Sequence, residues 1–322
     1  MKAILVSQTG GPEVLQFTDV ATPKPKSNEA LVKIEAIGVN FIDVYFREGR
    51  YPAQTPFIPG REMAGVITEV GGDVKDLKVG DRVAQTGVMG SYAEYQAVPA
   101  EHLVKLPDAI TFEQAAATML QGATAHYLVR STYPLKDTDT LLLHAAAGGV
   151  GLLLTQMAKK IGAHVIGTVS TDDKARLARE SGVDDVIFYT RQDFVEETRR
   201  ATGGKGVNVV YDGVGKSTFE GSLQCLRPRG YLVLFGGSSG AVPPFDLIRL
   251  STMGSLFITR PTLNHYIATR DELLWRMSDV FNQIACHDLK VHVGQKFKLA
   301  DAQQAHRDLE SRKTVGKTLL LV

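Results

Sequence analysis

The residues with the clearest chemical meaning form a glycine-rich turn in the middle of the chain. The apolar run TLLLHA leads into Ala146, Gly148 and Gly151, which have the spacing A-x-G-x-x-G and precede an amphipathic segment. At such a turn Gly148 lets the backbone approach a phosphate, and Gly151 lets the following helix pack against the strand. The first N–H groups of that helix attract an anion. An ordinary glycine-rich connection is the alternative, but the surrounding pattern favours a dinucleotide site.

A second chemical group lies at the end of the next strand, in HVIGTVSTDDKAR. An NAD-specific site would place an acidic residue there to bind the ribose 2′-hydroxyl. This strand instead ends at Ser170 and Thr171, with Lys174 one turn later, and these side chains suit a 2′-phosphate. Asp172 and Asp173 instead favour NADH, unless they only complement a helix dipole. The sequence therefore favours NADPH over NADH.

The elements around these groups alternate between strand-like and helical segments from residue 139 to about 258. This alternation predicts a parallel sheet with helices on both faces. Short β-rich runs fill residues 1 to about 110, which predicts a compact β domain. A long helical segment over residues 264–285 precedes a tail that is too short to bury a core of its own. We therefore expect one domain from residues 1–124 and 262–322, and another from residues 125–261.

Composition excludes several classes of protein. The chain has 322 residues, 44% of them hydrophobic, and a net charge of +1, so there is no global basic field for nucleic acid or a membrane surface. Cys225 and Cys286 lie outside any metal-binding or disulfide spacing. We expect a soluble protein of a reducing cytoplasm, without a leader or a membrane span.

Two motifs resemble a known superfamily. The first has the spacing of the zinc alcohol dehydrogenase signature, and the second resembles the signature of quinone oxidoreductases and ζ-crystallin, except at Thr138: Gly60-Arg61-Glu62-x-x-Gly65-x5-Gly71-x-x-Val74 and Gly148-Gly149-x-Gly151-x4-Gln156-x-x-Lys159. The segments GGPEVL, NFIDVYFREGRYP and ESRKTVGK add to this likeness. The chain thus resembles the zinc-free quinone oxidoreductase branch of the medium-chain dehydrogenase/reductase superfamily. The resemblance implies an α/β fold, with a doubly wound Rossmann domain and a β-rich, GroES-like catalytic domain.

The metal ligands of the zinc enzymes are missing. A catalytic zinc needs three protein ligands and an open position. The expected cysteine is replaced within Gly38–Asp43, the expected histidine is replaced by Arg61, and the four-cysteine structural lobe is absent. We therefore expect no bound metal and an acceptor that is already electrophilic, such as a quinone or an α,β-unsaturated ketone.

The resemblance also implies site residues. Asn40 and Tyr51 are the expected catalytic residues, with Tyr51 placed near the acceptor, although Asn40 and Asp43 could simply cap a turn and Tyr51 could only anchor its loop. The expected cofactor contacts fall into five groups. They are Asn40, Phe41, Ile42, Asp43 and Thr124 at the nicotinamide; Gly148, Gly149, Val150 and Gly151 at the pyrophosphate; Ser170, Thr171, Lys174 and Tyr189 at the 2′-phosphate; Gly213, Phe235, Gly236, Gly237 and Ser238 on the far side; and Ile258, Thr259, Arg260 and Arg312 over the cofactor.

The expected activity is transfer of a hydride equivalent from NADPH to a quinone in the cleft between the domains. Proximity, orientation and desolvation would supply the rate enhancement. Two alternatives stay open: an NADPH-dependent alkenal or enone reductase, and an NADPH-binding or RNA-binding protein of the ζ-crystallin kind. The strand-like runs YLVLFGG and SLFIT predict a homodimer joined at the edge of the Rossmann sheet.

Overall fold

The structure is a computed structural model that describes residues 1–322. Its strands are β1 (Lys2–Leu5), β2 (Gln16–Asp19), β3 (Glu29–Val39), β4 (Glu62–Val70), β5 (Arg82–Thr86), β6 (Tyr95–Pro99), β7 (Val104–Lys105), β8 (Thr140–Leu143), β9 (His164–Val169), β10 (Asp185–Phe188), β11 (Val207–Asp212), β12 (Leu226–Leu234), β13 (Phe257–Thr259), β14 (Val293–Lys298) and β15 (Lys317–Leu321). Its helices are α1 (Phe41–Arg47), α2 (Phe112–Tyr127), α3 (Gly149–Ile161), α4 (Asp172–Glu180), α5 (Phe194–Ala201), α6 (Phe219–Gln224), α7 (Ile248–Thr252), α8 (Arg270–Ala285) and α9 (Ala302–Glu310). None of these helices combines the length and apolar composition needed to cross a bilayer.

The chain divides into two compact units. Unit 1 contains Met1–Ala123 and Tyr266–Val322, and unit 2 contains Thr124–His265.

Unit 2 is built on a six-stranded sheet with the order β10-β9-β8-β11-β12-β13. Every pair in it is parallel. Two helices frame the central strands: α3 follows β8, and α4 follows β9. The strand order reverses between β8 and β11, which is the doubly wound Rossmann arrangement. The predicted α/β fold class is therefore confirmed.

The local sequence explains the ends of the first crossover. Leu141, Leu142 and Leu143 of β8 are fully buried, as expected for a strand covered on both faces. Gly148 is the N-cap of α3, and Gly162 ends the helix in the left-handed conformation with φ +104°. A glycine adopts that conformation without the steric cost that a side chain imposes.

Unit 1 contains a seven-strand sheet with the order β14-β15-β3-β4-β5-β7, on which β6 also pairs with β3. The long strand β3 thereby joins β4, β6 and β15 by antiparallel pairing. The last strand of the sequence returns to the N-terminal part of unit 1 here, since β15 lies directly beside β3. The strand pair β1 and β2 completes the β content of the unit.

One predicted element is wrong in its extent. The helical segment expected over residues 264–285 begins only at Arg270, after an isolated turn at Leu263–His265. The cause is a capping box, in which the Thr269 hydroxyl accepts a hydrogen bond from the Glu272 N–H and the Glu272 carboxylate accepts one from the Thr269 N–H.

Candidate active site

The residues expected to bind a dinucleotide in unit 2 lie at one edge of its sheet. They fall at or shortly after the carboxyl ends of the six parallel strands. Gly148, Gly149, Val150 and Gly151 follow β8; Ser170, Thr171 and Lys174 follow β9; Tyr189 follows β10; Gly213 follows β11; Phe235, Gly236, Gly237 and Ser238 follow β12; and Ile258, Thr259 and Arg260 end or follow β13. In open parallel sheets, ligands bind outside this edge where the strand order reverses.

The glycine-rich turn is tightly folded. A β-carbon at Gly151 would lie 2.5 Å from the carbonyl oxygen of Ala145 and 2.7 Å from that of Ala146. A β-carbon at Gly148 would be 3.2 Å from the Ala145 oxygen. The backbone therefore leaves no room for a side chain at Gly151. The first N–H groups of α3, which begins at Gly149, have no intrahelical acceptor. This bare, positively polarised cradle fits a pyrophosphate.

The turn after β9 presents polar and cationic groups. The Thr171 hydroxyl is the N-cap of α4 and accepts a hydrogen bond of 3.3 Å from the Lys174 N–H. Asp172 and Asp173 occupy the first turn of α4, where acids complement the helix dipole. Tyr189, at the end of β10, is 39% exposed and therefore available to a ligand.

One cation at this turn was missed by the sequence reasoning. The Arg191 guanidinium stacks on the Phe188 ring at 3.9 Å from its centroid and pairs with Asp172 at 3.3 Å. Arg191 thus offsets one of the two acids that argued for NADH. Its position directly after DVIFYT was a usable signal, because β10 is the next strand along the sheet from β9.

The turn after β11 is fixed by a buried acid. Asp212 accepts backbone hydrogen bonds at 2.8 Å from Val214 and 3.0 Å from Gly215. Its other oxygen accepts hydroxyl hydrogen bonds from Thr218 and Ser222. Gly213 lies close to the chain after β12, since a β-carbon there would be 2.9 Å from the Phe235 ring. These contacts hold the two strand ends in close register.

The remaining residues of unit 2 lie on the last strand and on α2. Ile258 and Thr259 are part of β13, and the Arg260 guanidinium donates a 3.1 Å hydrogen bond to the carbonyl oxygen of Leu234. Thr124 is buried on α2.

In unit 1 the predicted residues gather at the turn between β3 and α1. Asn40 is buried, and both ends of its amide are engaged: Oδ1 accepts from Lys317 Nζ at 2.8 Å and Nδ2 donates to Glu62 Oε2 at 2.8 Å. Lys317 and Glu62 also form a fully buried ion pair. Burial lowers the pKa of Lys317, and the Glu62 charge opposes this shift. A side chain at Gly38 would collide with Glu62, so the turn depends on that glycine.

Asp43 is a buried carboxyl group at this turn with a strongly raised pKa. Its Oδ2 atom accepts hydrogen bonds from the Asn40 N–H at 2.9 Å and from the Tyr92 hydroxyl at 3.1 Å. Its Oδ1 atom is buried without a hydrogen-bond partner. Burial raises the pKa of Asp43 from 3.8 to about 7, although the hydrogen bonds and Lys317 oppose the shift. Asp43 therefore titrates near neutral pH.

The other predicted residues of unit 1 are more exposed. Tyr51 is half-buried, and its ring packs edge-on against Tyr45 at 5.4 Å and Phe46 at 5.6 Å between centroids. Phe41 and Ile42 begin α1 and are also half-buried. Arg312 is exposed after α9, with φ +60°.

The segment Gly38–Asp43 and Arg61, where the zinc enzymes are expected to carry zinc ligands, make other contacts here. Asn40 and Asp43 belong to the network just described, and the Arg61 guanidinium donates to the carbonyl oxygen of Gly87 and lies over the Phe46 ring. No three His, Cys, Asp or Glu side chains are grouped closely enough to hold a metal ion.

Two parts of the chain match known protein families. Residues 26–108 match the alcohol dehydrogenase GroES-like domain, and residues 149–275 match the zinc-binding dehydrogenase family. The quinone oxidoreductase of Pseudomonas aeruginosa is 48% identical over 99% of both chains. The chain belongs to the quinone oxidoreductase branch of the medium-chain dehydrogenase/reductase superfamily.

Other quinone oxidoreductase relatives extend this result. The crystal structure of Escherichia coli quinone oxidoreductase complexed with NADPH superimposes with a TM-score of 0.98, at 47% identity over 100% of both chains. A 2-haloacrylate reductase from a Burkholderia species is 40% identical over 99% of this chain and 98% of its own. The family therefore includes reductases named for two kinds of electrophilic acceptor.

Proposed function

We propose that this protein is an NADPH-dependent quinone reductase. One observation carries the proposal: the expected dinucleotide contacts of unit 2, apart from Thr124, share the carboxyl edge of one parallel sheet. The tight turn at Gly151 and the helix start behind it fit a pyrophosphate at that edge. The NADPH complex of the Escherichia coli relative supports the same cofactor.

Within this proposal, different residues at the carboxyl edge of the unit 2 sheet would bind different parts of NADPH. Gly148 to Gly151 would hold the pyrophosphate, and the chain ends at Gly213 and Phe235 would border the cofactor on the far side of the sheet. Ser170, Lys174 and Tyr189 would surround the 2′-phosphate, with Arg191 as an added cation. A phosphate gains charge-assisted hydrogen bonds from such cations, whereas the hydroxyl of NADH does not. NADPH should therefore be preferred.

NADPH, when bound, supplies a hydride equivalent, and reduction of a quinone to a hydroquinone consumes one further proton. The protein's own part is to hold the acceptor, exclude water and orient the reacting atoms. We assign Asn40 to the support of the β3–α1 turn beside the nicotinamide, with Phe41 and Ile42 lining it. The Tyr51 phenol would donate a hydrogen bond to the acceptor oxygen.

The test is a comparison of initial rates with NADPH and NADH on a 1,2-quinone, a 1,4-quinone, an enone and 2-chloroacrylate. Faster reduction of quinones with NADPH supports the proposal. The second candidate, an alkenal or enone reductase, is favoured by the 2-haloacrylate reductase relative. Faster reduction of the enone or of 2-chloroacrylate would establish that candidate instead.

We also propose that units 1 and 2 act as the catalytic and NADPH-binding domains, in a homodimer joined along β13. In support, β13 pairs with β12 on one side only. Phe257 in β13 and Leu247 before it are exposed apolar side chains, at 47% and 73%. Exposed strand edges are commonly covered by pairing. Sedimentation at micromolar concentration should show a dimer, and a monomer would contradict this proposal.

The free thiols of Cys225 and Cys286 suit a reducing cytoplasm.

A further inference from the structure

A buried chain of hydrogen bonds in unit 1 reaches from α9 to the β3–α1 turn. Arg47 Nη1 lies 3.2 Å from His306 Nδ1, and His306 Nε2 lies 3.0 Å from the Tyr92 hydroxyl. The Tyr92 hydroxyl in turn donates to Asp43 Oδ2 at 3.1 Å. Arg47, Tyr92 and His306 are each at most 1% exposed. None of the three is among the expected cofactor contacts.

The donors of this chain have a single consistent direction. A guanidinium can only donate, so His306 Nδ1 must be the acceptor and Nε2 must carry the hydrogen. His306 therefore donates to the Tyr92 oxygen, which leaves the Tyr92 hydrogen for Asp43. Burial and the Arg47 charge lower the pKa of His306 to about 3, so the ring stays neutral and keeps this tautomer. Arg47 itself is held by Glu310 at 2.6 Å.

The series of hydrogen bonds ends at the Asp43 carboxyl group, and the charges around this group have opposite effects on its ionisation. Lys317 on β15 favours the ionised form of Asp43, whereas Glu62 on β4 disfavours it. Arg61, before β4, also lies within the influence of the Asp43 charge. With Oδ2 occupied by the Asn40 N–H and the Tyr92 hydroxyl, the unpartnered Oδ1 is the atom that carries the proton when Asp43 is neutral.

We propose that Tyr92 and His306 are positioning residues. They act through Asp43 and favour its ionised form, in which the carboxylate holds the β3–α1 turn in place for the reaction. The inference rests on the proposed function, because it takes this turn to lie beside the nicotinamide. Ionised Asp43 accepts more strongly from Asn40 N–H than neutral Asp43 does. Its titration therefore loosens or tightens the turn, and the hydrogen bond from the Tyr92 hydroxyl lowers the pH at which this happens.

The direct test is an infrared titration of the protein without added cofactor. The C=O stretch of a protonated carboxyl, identified by its loss in Asp43→Asn, should disappear as pH rises through about 7. Tyr92→Phe keeps the ring that packs on Gly60 but removes a donor to the carboxylate. The transition should then move up by about one to two pH units. Tyr211→Phe is the matched control, since that buried hydroxyl donates to Leu128 O in unit 2. It should leave the transition in place.

His306→Leu tests whether His306 acts on Asp43 through the Tyr92 hydroxyl. It should produce a smaller upward shift than Tyr92→Phe, and no additional shift in the Tyr92→Phe background, because His306 acts through the Tyr92 oxygen. Additive shifts would contradict this order. An unmoved infrared transition in Tyr92→Phe would overturn the proposal altogether.

The link to the reaction is tested by the pH profile of kcat/KM for the quinone. It should rise with the ionisation of Asp43, and the rise should move in Tyr92→Phe by the same amount as the infrared transition. A kinetic profile that stays in place while the infrared transition moves would overturn the positioning role. Absence of quinone reduction in the wild type would instead remove the proposed function, and the infrared titration would still test whether Tyr92 and His306 govern Asp43.

Discussion

Replacing Asp43 by Asn should change how the stability of unit 1 depends on pH. In the folded protein the pKa of Asp43 is about 7, whereas the ordinary value is 3.8. Between these values the folded protein keeps a proton that the unfolded chain has released, so rising pH favours unfolding. The slope is about 1.4 kcal/mol per pH unit, and the interval of roughly three units gives a cost of about 4 kcal/mol above pH 7. Asn cannot ionise, but its oxygen can still accept from Asn40 and Tyr92.

His306 contributes a slope of the opposite sign. Its pKa is lowered from 6.5 to about 3, so between these values the unfolded chain binds the proton and the folded protein does not. Stability from this group is complete above pH 6.5 and is lost as pH falls. From about pH 4 to 6.5 the two slopes cancel in the wild type. Asp43→Asn should therefore become more stable with rising pH in this range, and His306→Leu should become less stable.

The assay is urea unfolding at a series of pH values, followed by the fluorescence of Trp275. This residue is the only tryptophan and lies on α8 in unit 1, the unit that contains Asp43 and His306. Asp108→Asn, which removes an exposed carboxylate from the same unit, is the control and should follow the wild-type curve. Parallel curves for the wild type and Asp43→Asn between pH 4 and 7 would show that Asp43 is ionised throughout, and would refute the reasoning.

Four further predictions concern cofactor binding, the proposed reaction and metal content. Lys174→Ala should raise the KM for NADPH by about 10- to 150-fold and leave that for NADH almost unchanged, because a charge-assisted hydrogen bond contributes roughly 1.5–3 kcal/mol. Arg191→Ala, measured in the same way, should have a smaller effect, and equal effects on both cofactors would mean that Asp172 or Asp173 binds the ribose. Tyr51→Phe should lower kcat/KM for a quinone by about 10- to 150-fold, because a hydrogen bond to the negative charge that develops on the acceptor oxygen contributes roughly 1.5–3 kcal/mol, and an unchanged rate would leave Tyr51 as a loop anchor. Metal analysis should find no stoichiometric zinc and no loss of activity after exhaustive chelation, whereas one tightly bound zinc per chain would contradict the zinc-free interpretation.

The sequence predicted the parts of the fold that depend on local pattern. The alternation of apolar runs and amphipathic segments from residue 139 predicted the parallel sheet of unit 2, and glycine spacing predicted the turn before α3. Local pattern failed where a cap decides the outcome. The helical segment was expected from residue 264, but the Thr269–Glu272 capping box starts α8 later. The signal for this cap, T-x-x-E, is present in the sequence.

The buried hydrogen bonds of unit 1 could not be predicted in this way, because the residues that form them are distant in sequence. Arg47 meets His306 across 259 positions, Tyr92 meets His306 across 214, and Asn40 meets Lys317 across 277. No spacing rule links such residues, and each looks ordinary in its own segment. They meet because β15 pairs with β3 and carries the end of the chain back to the first unit. Asp43 illustrates the consequence. From sequence it was one acid in a turn, whereas its pKa is raised chiefly by burial, which only the completed fold provides, and is lowered in part by the hydrogen bonds from Asn40 and Tyr92 and by the Lys317 charge.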